Sequence, residues 1–486
     1  MGLSQVLRHA AVVNPNGVAT QMDERCHTWL EMQDRVMRLA GAFRALGIER
    51  GDRIAMLALN SDRYYEHFFA VAWAGAVFVP INTRLAPPEI VYWLEDSGST
   101  ILMIDDHFAE MLPKFRDQVK SVREIIHVGE GSAPAGMQSY EELVRGHDAL
   151  PDVGCTGDEL AALFYTGGTT GRSKGVMLSH RNLCLNSLHM LSVMDWQREE
   201  VILHAAPMFH LADGAISFCG ATLAASNCFI EAFEPSATLA AIEKYRASAA
   251  LLVPTMINLL VNHPKIEEYD ISSLRSLFYG ASPMPEAVIR RAIEVMPDVR
   301  FYQGYGQTET SPVLTINGPG SHIFDGPMIG KLRAAGQPVP GVDVAILDES
   351  GAEVPRGQVG EICARGDTMM LGYWNNPEAT AETLRDGWLH TGDGGKMDED
   401  GYVYIVDRVK DMIISGGENV YSAEVENAIH LHPAVAECAV IGIPHEKWGE
   451  QVHAVVRLNE GATLSAEDLI QHCKAQIANY KCPRSV

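Results

Sequence analysis

Apolar and β-branched runs of strand length recur along roughly the first 350 residues: RIAMLALN near position 53, TILMIDD near 100, AALFYTG at 161, VILHAAP at 201, SAALLVP at 248 and SLFYGAS at 276. Longer amphipathic stretches separate them, and that alternation predicts an α/β fold of layered subdomains with mainly parallel strands. Around Gly341 the rhythm changes. VDVAILD, VGEICARG and GYVYIVD follow at closer spacing with Gly, Asp and Asn between them, which predicts a β-rich subdomain over about 335–409. Beyond position 410 a smaller α+β lobe is expected: SAEVENAIHLH as a helix, ECAVIGI and QVHAVVRL as strands, and a helix capped by Ser465 with Asp468 that runs to Ile477. The expected division is therefore 1–409 and 410–486, with no internal repeat and no low-complexity segment.

Composition narrows the class. The 486 residues are 47% hydrophobic and 21% charged, in the range of an ordinary globular chain. The 62 acidic against 38 basic side chains give a formal charge of −24, which repels nucleic-acid phosphates and anionic lipid, and no dense Lys/Arg run offsets it. No nucleic-acid partner is expected. The nine cysteines are odd in number, scattered, and never form C-x-x-C, so free thiols in a reducing, cytoplasmic setting are the expectation. FFAVAWAGAVFVPI, from Phe68 to Ile81, is too short to span a bilayer, and the N-terminal apolar run is too short for a signal peptide, so no integral membrane segment is expected.

The densest chemical signal is YTGGTTGRSKG at 165–175. Glycines allow close approach of the backbone to an anion, hydroxyls donate to it and Lys174 supplies charge, a combination suited to polyphosphate. We expect a strand before this loop and a helix, VMLSHRNLCLNSL, after it. The loop departs from G-x-x-x-x-G-K-[ST], because Gly175 follows Lys174, and the kinase and GTPase readings lose their support.

With this string the chain resembles the acyl-adenylate-forming (AMP-binding) superfamily, and within it the acyl-CoA synthetases, or acid:CoA ligases. YGQTE at 305–309, GDTMMLGYWNNPEAT at 366–380, WLHTGD at 388–393 and DRVKDMIISGGENVYSAEVE at 407–426 match family signatures in the family's order, over nearly the whole chain. The resemblance implies ATP/AMP, Mg2+ and coenzyme A as cofactors and a small-molecule carboxylic acid as substrate, in a monomer or homodimer. The acid attacks the α-phosphate of ATP, and the thiol of coenzyme A then attacks the acyl adenylate. None of the cysteines needs a catalytic role.

Residue by residue, the resemblance assigns catalysis to Thr166, Lys174, His210 and Glu309, with Glu309 the magnesium ligand and Lys410 the hinge about which a mobile C-terminal lobe pivots. Nucleotide contacts fall to Thr166, Gly167, Gly168, Thr169, Thr170, Gly171, Ser173 and Lys174 in the loop, and to Gly280, Ala281 and Ser282 at the adenine pocket. They continue with Tyr305 as the adenine-stacking face, Gly306, Thr308, Asp393 on the ribose, Ile405, Arg408, and Gly416, Gly417 and Glu418 at the thiol tunnel. The acid pocket is assigned to His210, Leu211, Ala212, Gly214, Tyr279, Gly280, Gly304 and Pro312. The small residues Ala212, Gly214 and Gly280 leave room for a medium or long alkyl chain or an aryl acid of the phenylpropenoic or benzoic type.

Ser173 stands where many relatives place Pro. The sequence ends at YKCPRSV, ahead of the P-x-x-x-x-G-K segment whose lysine relatives bring to the carboxylate, and we expect the protein to continue beyond it. A peptide-synthetase domain would carry an Asp beside PMFH, where Leu211 stands, and Asp213 reads as a surface carboxylate. Two alternatives stay open: a non-catalytic acyl-adenylate or nucleotide-binding sensor, and an adenylating enzyme with another thiol acceptor.

Overall fold

The computed structural model describes residues 1–167, 172–324, 328–408, 412–415, 418–445 and 448–486, without the side chains at 408, 414, 418 and 419. Gly168, Thr169, Thr170, Gly171, Lys410, Gly416 and Gly417 lie outside the described residues, as does the expected boundary at 409–410; of Arg408 and Glu418 only the backbone is described.

Two large sheets dominate. One has eight strands in the spatial order Gly372–Tyr373, Lys174–Ser179, Leu160–Thr166, Val77–Pro80, Arg53–Leu57, Ser99–Ile104, Glu124–His127 and Gln138–Ser139. From Leu160–Thr166 outward to Gln138–Ser139 the pairing is parallel. The other has nine, from Gln337–Pro338 through Val313–Asn317, Arg300–Gly306, Ser276–Gly280, Ala249–Leu251, Val201–His204, Ser226–Phe229 and Val18–Met22 to Arg25–Thr28, again parallel in the middle and antiparallel at both edges. The six strand runs read in the first 350 residues all sit in these two sheets, each paired parallel on at least one side.

Helix Asp62–Trp73 is buried at every position, and its aromatic residues pack against both sheets and helix Leu211–Leu223: Phe68 on Phe78 at 5.1 Å, Phe68 on Phe218 at 5.5 Å and Tyr65 on Phe229 at 5.7 Å between centroids. Burying its polar side chains requires partners. Asp62 takes Arg25 at 2.8 Å, Glu66 takes Arg35 at 2.6 Å, and Arg63 donates to the Val128 carbonyl at 2.8 Å.

A third, antiparallel sheet is built from Val342–Leu347, Gly360–Gly366, Trp388–Met397, Leu384–Arg385 and Val403–Arg408. Gln337–Pro338 and Gly372–Tyr373 belong to the two large sheets, so the segment 335–409 feeds three sheets. A fourth sheet, with strands Glu418–Val420, Ile413–Ser415, Gly449–Leu458 and Val435–His445, packs with helices Ser422–His430 and Ala466–Gln476 around Val425, Ile429, Val440, Val452 and Leu469. Ser465 Oγ accepts from Asp468 N at 3.1 Å, the cap read from the sequence. The fold is the expected one: α/β, with a large N-terminal part and a small C-terminal lobe. All nine cysteines are unpaired, and no helix among the described residues is long and apolar enough to cross a membrane.

One expectation fails at the glycine-rich loop. It joins two antiparallel strands, Leu160–Thr166 and Lys174–Ser179, in which Thr166 faces Lys174; the helix begins only at His180. VMLS is too short and too uniformly apolar for periodicity to separate strand from helix. Ser179 ends the strand by accepting from Asn182 N at 3.1 Å while Asn182 Oδ1 accepts from Ser179 N at 2.8 Å, a capping box that fixes the helix start.

Candidate active site

Several of the assigned residues lie at the ends of strands in the two large sheets. Thr166, Gly280 and Gly306 each close a strand, and His210 follows Val201–His204 as the N-cap of helix Leu211–Leu223. Loops beyond the carboxyl ends of parallel strands are where open α/β sheets bind ligands.

Lys174, at the foot of the loop hairpin, holds its ammonium 4.3 Å from the ring centroid of Tyr373, whose hydroxyl donates to Glu309 Oε1 at 2.8 Å. Phosphate-loop cation and candidate magnesium ligand thus share one aromatic ring. Burial raises the Tyr373 phenol above its usual pKa, and the Glu309 carboxylate adds to that, so the ring stays a neutral donor. Glu309 is 8% exposed, and among the described residues no hydrogen bond reaches its Oε2. An oxygen left over on a nearly buried carboxylate, with threonine hydroxyls on either side in sequence, is a hard donor set of the kind Mg2+ takes. The residues fit the ion.

The hairpin is braced from behind. The Tyr165 hydroxyl donates to Asp96 Oδ2 at 2.6 Å and its ring stacks on Trp93 at 4.8 Å, while Trp374 donates through its indole to the Asp96 carbonyl at 3.0 Å and through its backbone to the Gly175 carbonyl at 2.7 Å. A side chain on Gly175 would stand 3.0 Å from the Tyr165 ring. A cavity of about 410 Å3 opens alongside, between Tyr92, Arg172, Lys174 and Trp374.

Tyr305 is 9% exposed and donates to Asp393 Oδ2 at 2.8 Å, so the adenine-face and ribose candidates are joined across two sheets. Burial first, and the Asp393 carboxylate second, hold that phenol well above its usual pKa. Gly306 is forced to be glycine: at φ +156° its Cβ would lie 1.9 Å from the Pro312 carbonyl. Ala281 turns out of its strand at φ +65°, and Ala281 and Ser282 are exposed. Thr308 is half-buried, and Ile405 is exposed on the strand Val403–Arg408.

Two pocket assignments and the surface reading of Asp213 need correcting. Tyr279 presents no surface: it is fully buried and its hydroxyl sits 2.9 Å from His322 Nε2, whose Nδ1 donates to the Gly318 carbonyl at 2.9 Å. Gly280 and Gly304 are register partners, and a Cβ on Gly280 would meet the Gly304 carbonyl oxygen at 2.3 Å; strand contact, rather than room for an acyl chain, demands that glycine. Asp213 is fully buried, with Oδ2 accepting from His204 Nδ1 at 2.8 Å, and His204 in turn stacks on Phe229 at 4.9 Å. The buried partner, nine residues back in VILH, carries no sequence signal of its role. His210 is exposed, Leu211 buried and Ala212 and Pro312 half-buried. Gly214 faces Phe164 and Leu211, where an added Cβ would stand at 3.7 Å from each. Tyr373 is the site residue sequence reasoning missed, although it lies inside the quoted GDTMMLGYWNNPEAT.

Comparison with known proteins identifies the family. The AMP-binding enzyme family matches residues 7–374 and the AMP-binding enzyme C-terminal domain matches 424–486. The chain is 40% identical to a feruloyl-CoA synthase of Amycolatopsis over 98% of its own length and 92% of the relative's. It is 35% identical to the long-chain-fatty-acid–CoA ligase FadD13 of Mycobacterium tuberculosis, over 99% and 93%. Among solved structures, the anthranilate CoA ligase AuaEII in complex with anthranoyl-AMP superposes with a TM-score of 0.91 at 26% identity, covering 100% of this chain and 92% of that one. ATP-bound MatB from Rhodopseudomonas palustris gives 0.88 at 32%, covering 100% and 95%. The chain therefore belongs to the AMP-binding enzyme family, in its acyl-CoA synthetase branch.

Proposed function

We propose that this AMP-forming acid:CoA ligase activates an apolar carboxylic acid, either an aryl acid of the phenylpropenoic or benzoic type or a medium- to long-chain fatty acid, and passes it to coenzyme A. A carboxylate has no good leaving group. Its oxygen attacks the α-phosphorus of ATP, pyrophosphate departs, and the acid now carries AMP. The thiol of coenzyme A then adds to the carbonyl carbon, its proton goes to solvent, and AMP leaves with one of the original carboxylate oxygens.

The chain's own groups position and neutralise rather than react. Lys174 and the loop hydroxyls hold the phosphates, Tyr305 covers the base, and Asp393 takes the ribose hydroxyls. Glu309 is oriented by Tyr373 toward the metal position. Glu309 would hold magnesium, which when bound would supply charge neutralisation at the phosphates. His210 stands at the acid's carboxylate end.

For substrate class, the observation that carries the reading is the pairing of Asp213 with His204 in the core. That carboxylate is fully buried with one oxygen on His204, which speaks against its pairing with the α-ammonium of an amino-acid substrate. The feruloyl-CoA synthase and FadD13 relatives support an aryl or a long alkyl acid respectively. A panel of cinnamic, benzoic and C8–C16 fatty acids, assayed for acid-dependent pyrophosphate release, tests it. Saturable release with one of these classes at least ten times that with glycine, phenylalanine or acetate is expected; preference for an amino acid refutes it.

A further inference from the structure

Around His390, three residues before Asp393 on the same strand, the third sheet assembles three side chains with metal-binding atoms. Cys363 and His390 are register partners on Gly360–Gly366 and Trp388–Met397, and Cys363 Sγ lies 3.3 Å from His390 Nδ1. Glu361, two residues earlier and so on the same face, places Oε2 2.7 Å from the same nitrogen. Its other oxygen accepts from Gly392 N at 3.0 Å, which fixes the carboxylate. One oxygen, one nitrogen and one sulfur thus lie within 4.8 Å of one another.

From this juxtaposition we propose that Glu361, Cys363 and His390 form a binding site for a borderline divalent cation of the zinc type, with water as the fourth ligand. Sulfur and imidazole together select Zn2+ or Co2+ over the hard Mg2+ that Glu309 suits. A second observation favours a cation there. The guanidinium of Arg385 already leans in, with Nη2 3.0 Å from His390 Nδ1 and 3.6 Å from Glu361 Oε2. Thiol, carboxylate and guanidinium all converge on Nδ1, which has one lone pair or one proton to offer. A metal ion accepts the lone pair, the carboxylate and the sulfur at once, and Arg385, half-exposed, swings into water. On binding, the Cys363 S–H is exchanged for a metal–thiolate bond and its proton is released to the buffer, with no change of oxidation state. Cys363 is fully buried while Glu361 and His390 are partly exposed, so the ion enters from the Arg385 side.

The test is titration of the metal-free protein with Co2+ alone, followed by ultraviolet and visible absorption. One Co2+ per chain with a thiolate-to-cobalt charge-transfer band, displaced by stoichiometric Zn2+, is expected. Cys363→Ala, whose neighbours Ala345 and Leu347 are apolar, should fold, lose the band and weaken binding at least about 100-fold. If that variant does not fold, His390→Asn serves, with the same expected loss. Absence of the band in the unaltered protein at stoichiometric Co2+, or its survival in either variant, overturns the proposal.

Discussion

The Tyr373 hydroxyl donates to Glu309 Oε1 across 2.8 Å, while the same ring carries the Lys174 ammonium 4.3 Å from its centroid. Three motifs far apart in sequence are thereby locked to one another. The carboxylate cannot shift without moving the ring on which the phosphate-loop lysine rests.

Tyr373→Phe keeps the ring under Lys174 and removes the hydrogen bond. Acyl-adenylate formation should fall by about 5- to 10-fold, the equivalent of about 1 kcal/mol for one hydrogen bond, and half-saturation by Mg2+ should move to higher concentration. Single-turnover pyrophosphate release at varied Mg2+ reads both. Glu309→Gln should be far worse, by about 100-fold or more; full activity in that variant would place the metal on another carboxylate.

Lys174→Ala should weaken the use of ATP by about 10- to 100-fold and leave the melting temperature within a few degrees. Initial rates at varied ATP and saturating acid give the answer. Unchanged ATP kinetics would remove the lysine from the phosphate site.

The two glycines first assigned to the acid pocket, Gly280 and Gly214, should respond in opposite ways. Gly280→Ala drives a Cβ to 2.3 Å from the Gly304 carbonyl, backbone that cannot step aside, and should cost about 1–3 kcal/mol of stability. Gly214→Ala meets Phe164 and Leu211 at 3.7 Å, ordinary contact, and gains helix propensity of about 1 kcal/mol. Thermal unfolding separates them. If Gly214 lines the acid pocket, its alanine variant should also lose the longest or bulkiest acids first.

Burial pushes His322 down to about 4, so the folded protein holds it neutral while the unfolded chain protonates it near pH 6.5. Below pH 6.5 the unfolded state therefore binds more protons, and stability falls with pH until the folded-state value near 4 is reached. By pH 5 the loss from this residue is about 2 kcal/mol. His67, pushed down to about 3, and His180, to about 4, act in the same direction. Denaturant unfolding of the unaltered protein and His322→Gln at pH 7.5 and pH 5 isolates the His322 share; equal losses in the two would contradict it.

The strand runs, the C-terminal helix cap and the five motifs were legible because each is local: hydrophobic period, a Ser–Asp cap, a string of glycines and hydroxyls. What the sequence left obscure depends on partners brought together by the fold. Tyr373 meets Glu309 across 64 positions, and nothing in LGYW marks the phenol as its donor. Asp213 looks like a surface carboxylate until His204 is placed beneath it. Gly280 reads as open space until Gly304 is seen beside it. The strand after the phosphate loop reads as helix because VML offers no polar position to reveal its period and Ser179, the cap, merges with the helix that follows.

The most direct test of acyl-adenylate chemistry follows the carboxylate oxygens. A substrate acid labelled with 18O at both oxygens is turned over with ATP, Mg2+ and coenzyme A, and the products are weighed by mass spectrometry. The account predicts one 18O in AMP, one in the acyl-CoA thioester and none in pyrophosphate. Label in inorganic phosphate with ADP as the product, or unlabelled AMP with the second 18O in pyrophosphate, would contradict it.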